Sequence, residues 1–328
     1  PDLPGNSDRT LQFEVCEEIV DTQPRATVSL TRAKDGAAIQ SGIDTAGDLA
    51  GGIRVDTGSL SFLIPDEGFF PIQEVTLDGS RLWQDAPFSG FSVDLDGEPL
   101  ASESGPVELE IEEAGPLRAV ILVSGKHLRP DGSGYLDLRG RITAYAGKPY
   151  VEVEHQFIHT EEDPELSLKA LRMVFEPGEP GPDYRVALGQ GYYQTAIEEN
   201  ADNVSMDLDA ETLLYQANEH FIDSFYGDFW VDWRDDTGGL TVSIHQAHQN
   251  FPKRLEASGS GIVCSLYPDW ASPAPVLQGM GKTHRIQLHF HGSDTPVEAC
   301  SVRSLQFQLP DQPRLTRKWY RENNPWIE

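Results

Sequence analysis

Residues 135–159 read "YLDLRGRITAYAGKPYVEVEHQFIH", and this stretch decides the fold class. Apolar and polar residues alternate on both sides of the central "AGKP", which is the period-two pattern of a strand with one buried face. Gly147 and Pro149 are residue types that tight turns favour. The stretch therefore predicts one long antiparallel hairpin in which every second residue faces the core.

The same alternation continues on either side of this hairpin. It is present in "SLSFLIP" at residues 59–65, "PVELEIEEAG" at 106–115 and "LRAVILVSG" at 117–125, and glycine or proline bounds each run. The Pro- and Gly-rich "EPGEPGPDYR" at 176–185 predicts a surface connection rather than a domain boundary. Residues 207–225 fit a helix or an irregular strand equally well. We expect a mainly β protein, a large antiparallel β-sandwich with few helices.

The net charge of the chain argues against one class of binding partner. The 328 residues include 53 acidic and 25 basic side chains, which give a net charge of -28. Such a field repels polyanions, so nucleic acid is not expected as a partner. An acidic surface of this kind is typical of proteins from saline habitats, and ordinary solubility explains it as well. No apolar run approaches the roughly 18 residues needed to cross a bilayer, so no membrane span is expected.

Cysteines and histidines are the candidate reactive groups and metal ligands of the sequence. Cys16, Cys264 and Cys300 are widely spaced and form no CxxC, which predicts at least one free thiol that serves as buried filler. The histidines at 245, 248, 289 and 291 include a His-x-His pair, and this spacing on a strand occurs in zinc and copper sites. No cysteine or second cluster with ligand spacing accompanies them. We therefore predict no metal ligand and no cofactor. A divalent cation is the alternative that the histidine spacing leaves open.

Scarce basic residues mark the candidate binding site. Lys253 and Arg254 follow "NFP", and Lys282 and His284 lie in "QGMGKTHRIQLHFH". Local positive charge in a negative protein suits an anionic ligand, for which Arg offers bidentate contacts to a carboxylate. Alternatively, each basic side chain pairs with a neighbouring acid. No nucleophile elbow, zinc-protease or phosphate-loop motif is present.

Tryptophans accompany these basic residues. Trp230 and Trp233 lie in "DFWVDW", and Trp270 lies in "CSLYPDW". Exposed aromatic rings are platforms for the apolar faces of sugars, whereas buried rings belong to the core. The alternation of the strands predicts that about half of the aromatic residues are core.

Seven segments in order resemble the YetA-like relatives of exo-rhamnogalacturonan lyase. They are "VDTGSLSFLIP", "EEAGPLRAVILVSGKH", "LDLRGRITAYAGKPYVEVEHQFIHT", "DFWVDW", "NFPKRLEA", "CSLYPDW" and "QGMGKTHRIQLHFH", and they span about residues 53–291. The resemblance implies an N-terminal β segment of a barrel-like domain over 1–50 and a sandwich of the carbohydrate-enzyme type, a supersandwich, over 51–309. Residues 310–328 are then an extended tail that leads toward a helical domain or partner subunit.

The resemblance also implies a function. Such proteins act outside the cytoplasm, in the extracellular space or periplasm, on acidic, uronate-containing polysaccharide by β-elimination. That chemistry needs a base for the proton α to the carboxyl group and a cation or hydrogen-bond donor for the carboxylate. His284 is the candidate base or acid, the basic candidates for the carboxylate are Lys253, Arg254 and Lys282, and the candidates for stacking on sugar are Trp230, Trp233 and Trp270. A non-catalytic carbohydrate-binding module and a structural assembly protein are the alternatives.

Overall fold

The structure is a computed structural model, and it describes residues 26–39, 51–69, 71–83, 87–102, 105–179, 183–191, 196–209, 228–310 and 317–318. Strands dominate these residues, and the chain is mainly β, as the alternation predicted. The segment that fits a helix or a strand equally well falls mostly on residues 210–227, outside the described part. Cys16 and most of the tail are outside it too.

A small antiparallel sheet comes first among the described residues. The five strands described for it follow one another in chain order. They are β1 (Ser29–Arg32), β2 (Ile53–Asp56), β3 (Leu60–Ile64), β4 (Gln73–Leu77) and β5 (Ser80–Arg81). Strand β1 belongs to the predicted N-terminal segment and pairs with β2, so this sheet has strands on both sides of the predicted boundary at residue 50.

The second sheet has 16 strands among the described residues. They are β6 (Ser92–Leu95), β7 (Glu98–Ala101), β8 (Glu108–Ala114), β9 (Arg118–Leu128), β10 (Gly134–Tyr145), β11 (Tyr150–Ile158), β12 (Glu165–Phe175), β13 (Arg185–Gly191), β14 (Ala196–Asn200), β15 (Asn203–Leu208), β16 (Asp228–Arg234), β17 (Gly239–Ile244), β18 (Lys253–Ser258), β19 (Gly261–Tyr267), β20 (Ala274–Leu277) and β21 (Gly281–His291). Their main order is β14-β13-β16-β17-β21-β11-β10-β9-β7-β6-β12-β19-β18-β15, while β8 pairs with β9 and β20 with β12.

The predicted hairpin forms the middle of this sheet. Strands β10 and β11 pair from Asp137 opposite Ile158 to Ala144 opposite Val151, so the prediction is confirmed. Strand β21 pairs with the other edge of β11, although more than a hundred residues separate them in the chain. The order β10-β11-β21 places side chains from distant parts of the sequence beside one another on one face.

The large sheet folds over on itself to enclose the core. Strand β16 lies against β18 and β19, which are far from it in the strand order. Apolar side chains of both layers form one contiguous cluster, which includes Val153, Leu288, Leu255 and Leu266. This arrangement is the sandwich that the sequence predicted, and burial of this apolar surface is its main source of stability.

One helix covers the outer face of the sandwich. Helix α1 (Val297–Gln308) packs on β16 and β21, and the Gln308 side chain donates to the Ile244 carbonyl over 2.7 Å. A 3₁₀-helix (Ala247–Asn250) follows β17. Because α1 lies on one side and the core on the other, every residue of β16 is buried. In the described part of the chain, no helix is long and apolar enough to cross a membrane.

Candidate functional site

Strand β18 separates two of the predicted site residues. Neighbouring residues of a strand point to opposite faces, so Lys253 faces the interior and Arg254 faces outward. Lys253 is only 2% exposed. The prediction that both side chains lie in one cleft is therefore wrong.

Two lysines meet at Asn250, the last residue of the 3₁₀-helix. The Lys253 Nζ donates to the Asn250 carbonyl and, over 3.0 Å, to the Pro252 carbonyl. The Lys282 Nζ donates to the Asn250 side-chain oxygen. Lys282 is exposed, so one amine lies inside the protein and the other lies at its surface. The structure thus brings together two of the three basic residues that were predicted to bind a carboxylate.

Three histidines continue inward from the lysines. His284 and His155 are direct partners on β21 and β11, which places their side chains side by side on the inner face. The ring of His155 meets that of His127, with the two Nε2 atoms 3.1 Å apart. We call His127, His155, His284, Lys253 and Lys282 the basic row. His127 and His155 had not been predicted, because nothing local in the sequence pairs them with His284.

Hydrogen bonds define the tautomers in the inner part of the row. The His127 Nδ1 lies 3.1 Å from the Leu136 carbonyl and must donate to it. Its Nε2 then accepts a hydrogen bond from the Nε2–H of His155. The His155 ring is held by stacking on Phe91, with centroids 4.1 Å apart. The inner histidines are therefore fixed in place, and the remaining His155 nitrogen, Nδ1, is an acceptor.

Two buried nitrogens of the row lack a partner. Neither the Nδ1 of His155 nor the Nδ1 of His284 has a hydrogen-bond partner among the described residues. An unsatisfied buried polar atom costs about 1–3 kcal/mol, and it is a common sign of a bound water or ligand group. The row therefore offers imidazole groups to a hydroxyl or a proton of a bound molecule.

Burial keeps the row largely uncharged. It lowers the pKa of His127 to about 4 and the pKa of His155 and His284 well below the usual value. Burial and the neighbouring Lys282 charge lower the pKa of Lys253 to about 7. Burial also lowers the pKa of Lys282. At neutral pH the row thus combines imidazoles that can accept a proton with amines that can hold an anion.

The predicted stacking residues separate into core and surface. Trp230 and Trp233 are fully buried, which contradicts the prediction that they stack on a sugar. The Trp233 ring lies in the core beside Trp83, and the Trp230 ring lies under α1 beside Val297. Because the two residues are three apart on β16, they point to opposite faces, and both faces are covered.

Trp270 belongs to a different surface. Its ring is 42% exposed, and its Nε1 donates to Asp207 over 2.9 Å. Arg254 donates to the same carboxylate twice, over 2.7 Å each. Asp207, Arg254 and Trp270 form what we call the outer tryptophan surface. Arg254 thus pairs with a neighbouring acid, which was the alternative reading of the basic residues.

The four histidines considered as metal ligands, at 245, 248, 289 and 291, do not form one cluster in the structure. The two rings of the His-x-His pair on β21 lie 5.5 Å apart. His245 instead lies against Phe307 of α1, and His248 lies against Phe229. Cys264 and Cys300 are buried free thiols, as predicted.

One group of donor atoms in the described part of the chain has the spacing of metal ligands. Asp232, His291 and Cys300 place their ligand atoms within 4.8 Å of one another. The carboxylate of Asp232 already accepts from His291, Thr241 and Arg234, and the Arg234 guanidinium also reaches Cys300. A guanidinium in this position repels a cation. We therefore assign the group as a buried ion-pair network rather than a metal centre.

Comparison with a known family supports the predicted resemblance. Residues 45–177 match the family model described as the PcRGLX-like protein central beta sandwich domain. The family resemblance is confirmed over these residues. His127 and His155 lie within the PcRGLX-like part, and the other members of the basic row follow it in the chain. No curated protein matches the sequence.

Solved structures resemble this chain to different extents. A glycosyl hydrolase family 38 protein from Enterococcus faecalis is 11% identical, with a TM-score of 0.50 over 78% of this chain and 32% of that one. A putative aldose 1-epimerase from Klebsiella pneumoniae is 12% identical, with a TM-score of 0.48 over 79% and 84%. A galactose mutarotase related enzyme from Lactobacillus acidophilus is 11% identical, with a TM-score of 0.42 over 73% and 97%. At these identities the likeness concerns the fold alone.

Proposed function

We propose that this chain is the β-sandwich part of a lyase-like protein that cleaves acidic, uronate-containing saccharide by β-elimination at the basic row. The observation that carries the proposal is the meeting of Lys253 and Lys282 at Asn250, beside the unpartnered nitrogen of His284. A cation for the carboxylate and a neutral base for the α-proton are the two groups that this elimination needs.

Each residue has a defined role in this proposal. The exposed Lys282 ammonium binds the uronate carboxylate first. The arriving negative charge raises the pKa of Lys253, which then becomes the second cation at the carboxylate. Held in this way, the sugar presents the proton α to its carboxyl group to the neutral imidazole of His284. The His284 imidazole takes that proton, and the electron pair of the broken carbon–hydrogen bond forms the new double bond. The glycosidic oxygen leaves with the electron pair of its bond to carbon and takes a proton from the His284 imidazolium.

We place the reaction in the extracellular space or periplasm, a location that suits a polysaccharide substrate. A helical domain or subunit over Lys282 would complete the cleft and exclude water from it.

Release of unsaturated uronate, followed by its ultraviolet absorbance, tests the proposal. We expect His284→Asn to lower kcat by about a hundredfold or more, the usual contribution of a general base. Lys282→Met should raise KM about tenfold with a smaller change in kcat. Lys34→Met is the matched control, because Lys34 is an exposed lysine on the connection after β1. The proposal is wrong if pectic, alginate and glucuronan substrates all give no unsaturated product with the complete protein.

The outer tryptophan surface favours a second candidate, carbohydrate binding without catalysis. The exposed Trp270 ring is held by Asp207, which Arg254 orients in turn. Such a fixed aromatic ring is a platform for a sugar. If Trp270→Ala abolishes saccharide binding while Lys282→Met leaves it unchanged, and no product forms, this second function replaces the first.

A further inference from the structure

The Lys253 amine has hydrogen-bond partners for two protons and not for three. Its Nζ donates to the carbonyls of Asn250 and Pro252, and no third acceptor bonds to it among the described residues. An ammonium has three N–H groups, whereas a neutral amine has two and a lone pair. With only 2% of the residue exposed, the neutral form satisfies the site and the ammonium leaves one donor unsatisfied.

The charges around Lys253 also favour the neutral amine. The Lys282 charge is close enough to oppose a second positive charge, and the nearby His284 is itself neutral. The Cys264 thiolate would favour the ammonium form of Lys253, but burial raises the pKa of that thiol to about 12, so it carries no negative charge at neutral pH. A desolvated lysine beside another cation is the arrangement that makes an amine nucleophilic at neutral pH.

We infer that Lys253 forms a Schiff base with a carbonyl compound that also carries a carboxylate, such as a 2-oxo acid or an open-chain uronic acid. The amine supplies the nucleophile, and the exposed Lys282 supplies the cation that selects the carboxylate. This inference goes beyond the proposed elimination and does not rest on it, because no proton α to a carboxyl group has to be removed.

The chemistry balances without an oxidant or a reductant. The Lys253 lone pair forms a bond to the carbonyl carbon, and one of the two amine protons passes to the carbonyl oxygen to give a neutral carbinolamine. The hydroxyl group then takes a second proton and leaves as water as the nitrogen lone pair forms the carbon–nitrogen double bond, and the nitrogen gives up its remaining proton. The product is an imine that joins the Nζ to the former carbonyl carbon.

Reductive trapping tests this inference. The protein is mixed at pH 7 with glyoxylate and cyanoborohydride, and the carboxymethylated lysines are identified by peptide mass spectrometry over time. We expect Lys253 to be labelled at least tenfold faster than Lys34, which is an exposed lysine. Lys282→Met should slow the labelling of Lys253 about tenfold, because it removes the cation that attracts glyoxylate.

Both lysines are compared in the same wild-type protein, so the result does not require any variant to fold. Labelling of Lys253 no faster than that of Lys34 overturns the inference. Equal labelling of Lys253 by glyoxylate and by the neutral glycolaldehyde overturns the assignment of a carboxylate-bearing substrate. Because the readout is a covalent adduct, a chain without lyase activity still gives a clear result, and failure of one proposal is distinguishable from failure of the other.

Discussion

Replacing Asp232 by asparagine is expected to lower the free energy of unfolding by about 3–5 kcal/mol, the cost of breaking a buried ion pair. Asp232 is fully buried and accepts from His291 over 2.8 Å, from Thr241 over 2.6 Å and from Arg234 over 2.7 Å. Burial alone would lower the pKa of His291, but the carboxylate outweighs it and raises that pKa to about 10. Without the carboxylate, the buried Arg234 guanidinium has no counter-charge, and His291 loses the partner that holds its proton.

Urea unfolding of the wild type and the Asp232→Asn variant measures this loss. Asp207→Asn is the matched control, because Asp207 makes a bidentate pair with Arg254 at the surface. A surface pair of this kind contributes only about 0.2–1 kcal/mol. If both variants lose less than about 1 kcal/mol, the assignment of the Asp232 group as a stabilising network is wrong.

Acid is expected to unfold the protein at a pH well above the pKa range of its carboxylates. Burial is the main cause that lowers the pKa of five histidines in the described residues: His127, His155, His245, His248 and His284. The unfolded chain binds these protons near pH 6.5 and the folded chain does not, so stability falls as pH drops below 6.5. For His127 and His248, whose folded pKa is about 4, the loss by pH 4 is about 3 kcal/mol each.

Alkaline pH should affect stability much less. The pKa of His291 is raised to about 10, so its contribution is present below pH 6.5 and is lost as pH rises to 10. The pKa of Lys253 is lowered to about 7. Between pH 7 and 10.5 the lysine is therefore protonated in the unfolded chain and neutral in the folded chain, so stability rises as pH increases through this range. The two slopes oppose each other, and we expect a nearly flat profile between pH 7 and 10.

Urea unfolding at pH 7.5, 6.0 and 5.0 tests the acid prediction. His248 is a suitable probe because it is buried against Phe229 and neither of its ring nitrogens has a partner among the described residues. His248→Leu keeps a similar volume. The slope of stability against pH measures how many protons the chain takes up on unfolding, and the variant should lower this number by about one. An unchanged dependence in the variant, or wild-type stability that is constant from pH 7.5 to 5.0, would contradict this explanation.

The strands and the sandwich could be predicted because their signal is local. The alternation in residues 135–159 and the turn residues between the two runs are sufficient for the β10–β11 hairpin. The separation of Lys253 from Arg254 was also predictable, because neighbours on a strand cannot share a face. For these features the sequence already contains the physical cause.

The basic row and α1 depend on tertiary structure. His155 and His284 are 129 positions apart, and only the pairing of β11 with β21 brings them together. Helix α1 was not predicted because its buried positions are largely small or polar; Ser301 and Ser304 donate to Asp228 instead of packing as apolar residues. That helix is also why Trp230 of β16 is buried, whereas Trp233 is buried by the core on the other face.

The central claim is that the basic row is a functional site and not merely polar core. Nuclear magnetic resonance of the histidine side chains, with trigalacturonate added, tests it most directly. We expect the imidazole signals of His284 and His155 to shift in a saturable way, while His291, which bonds to Asp232 beneath α1, remains unchanged. Unchanged signals for His284 and His155 at saturating trigalacturonate would contradict the claim.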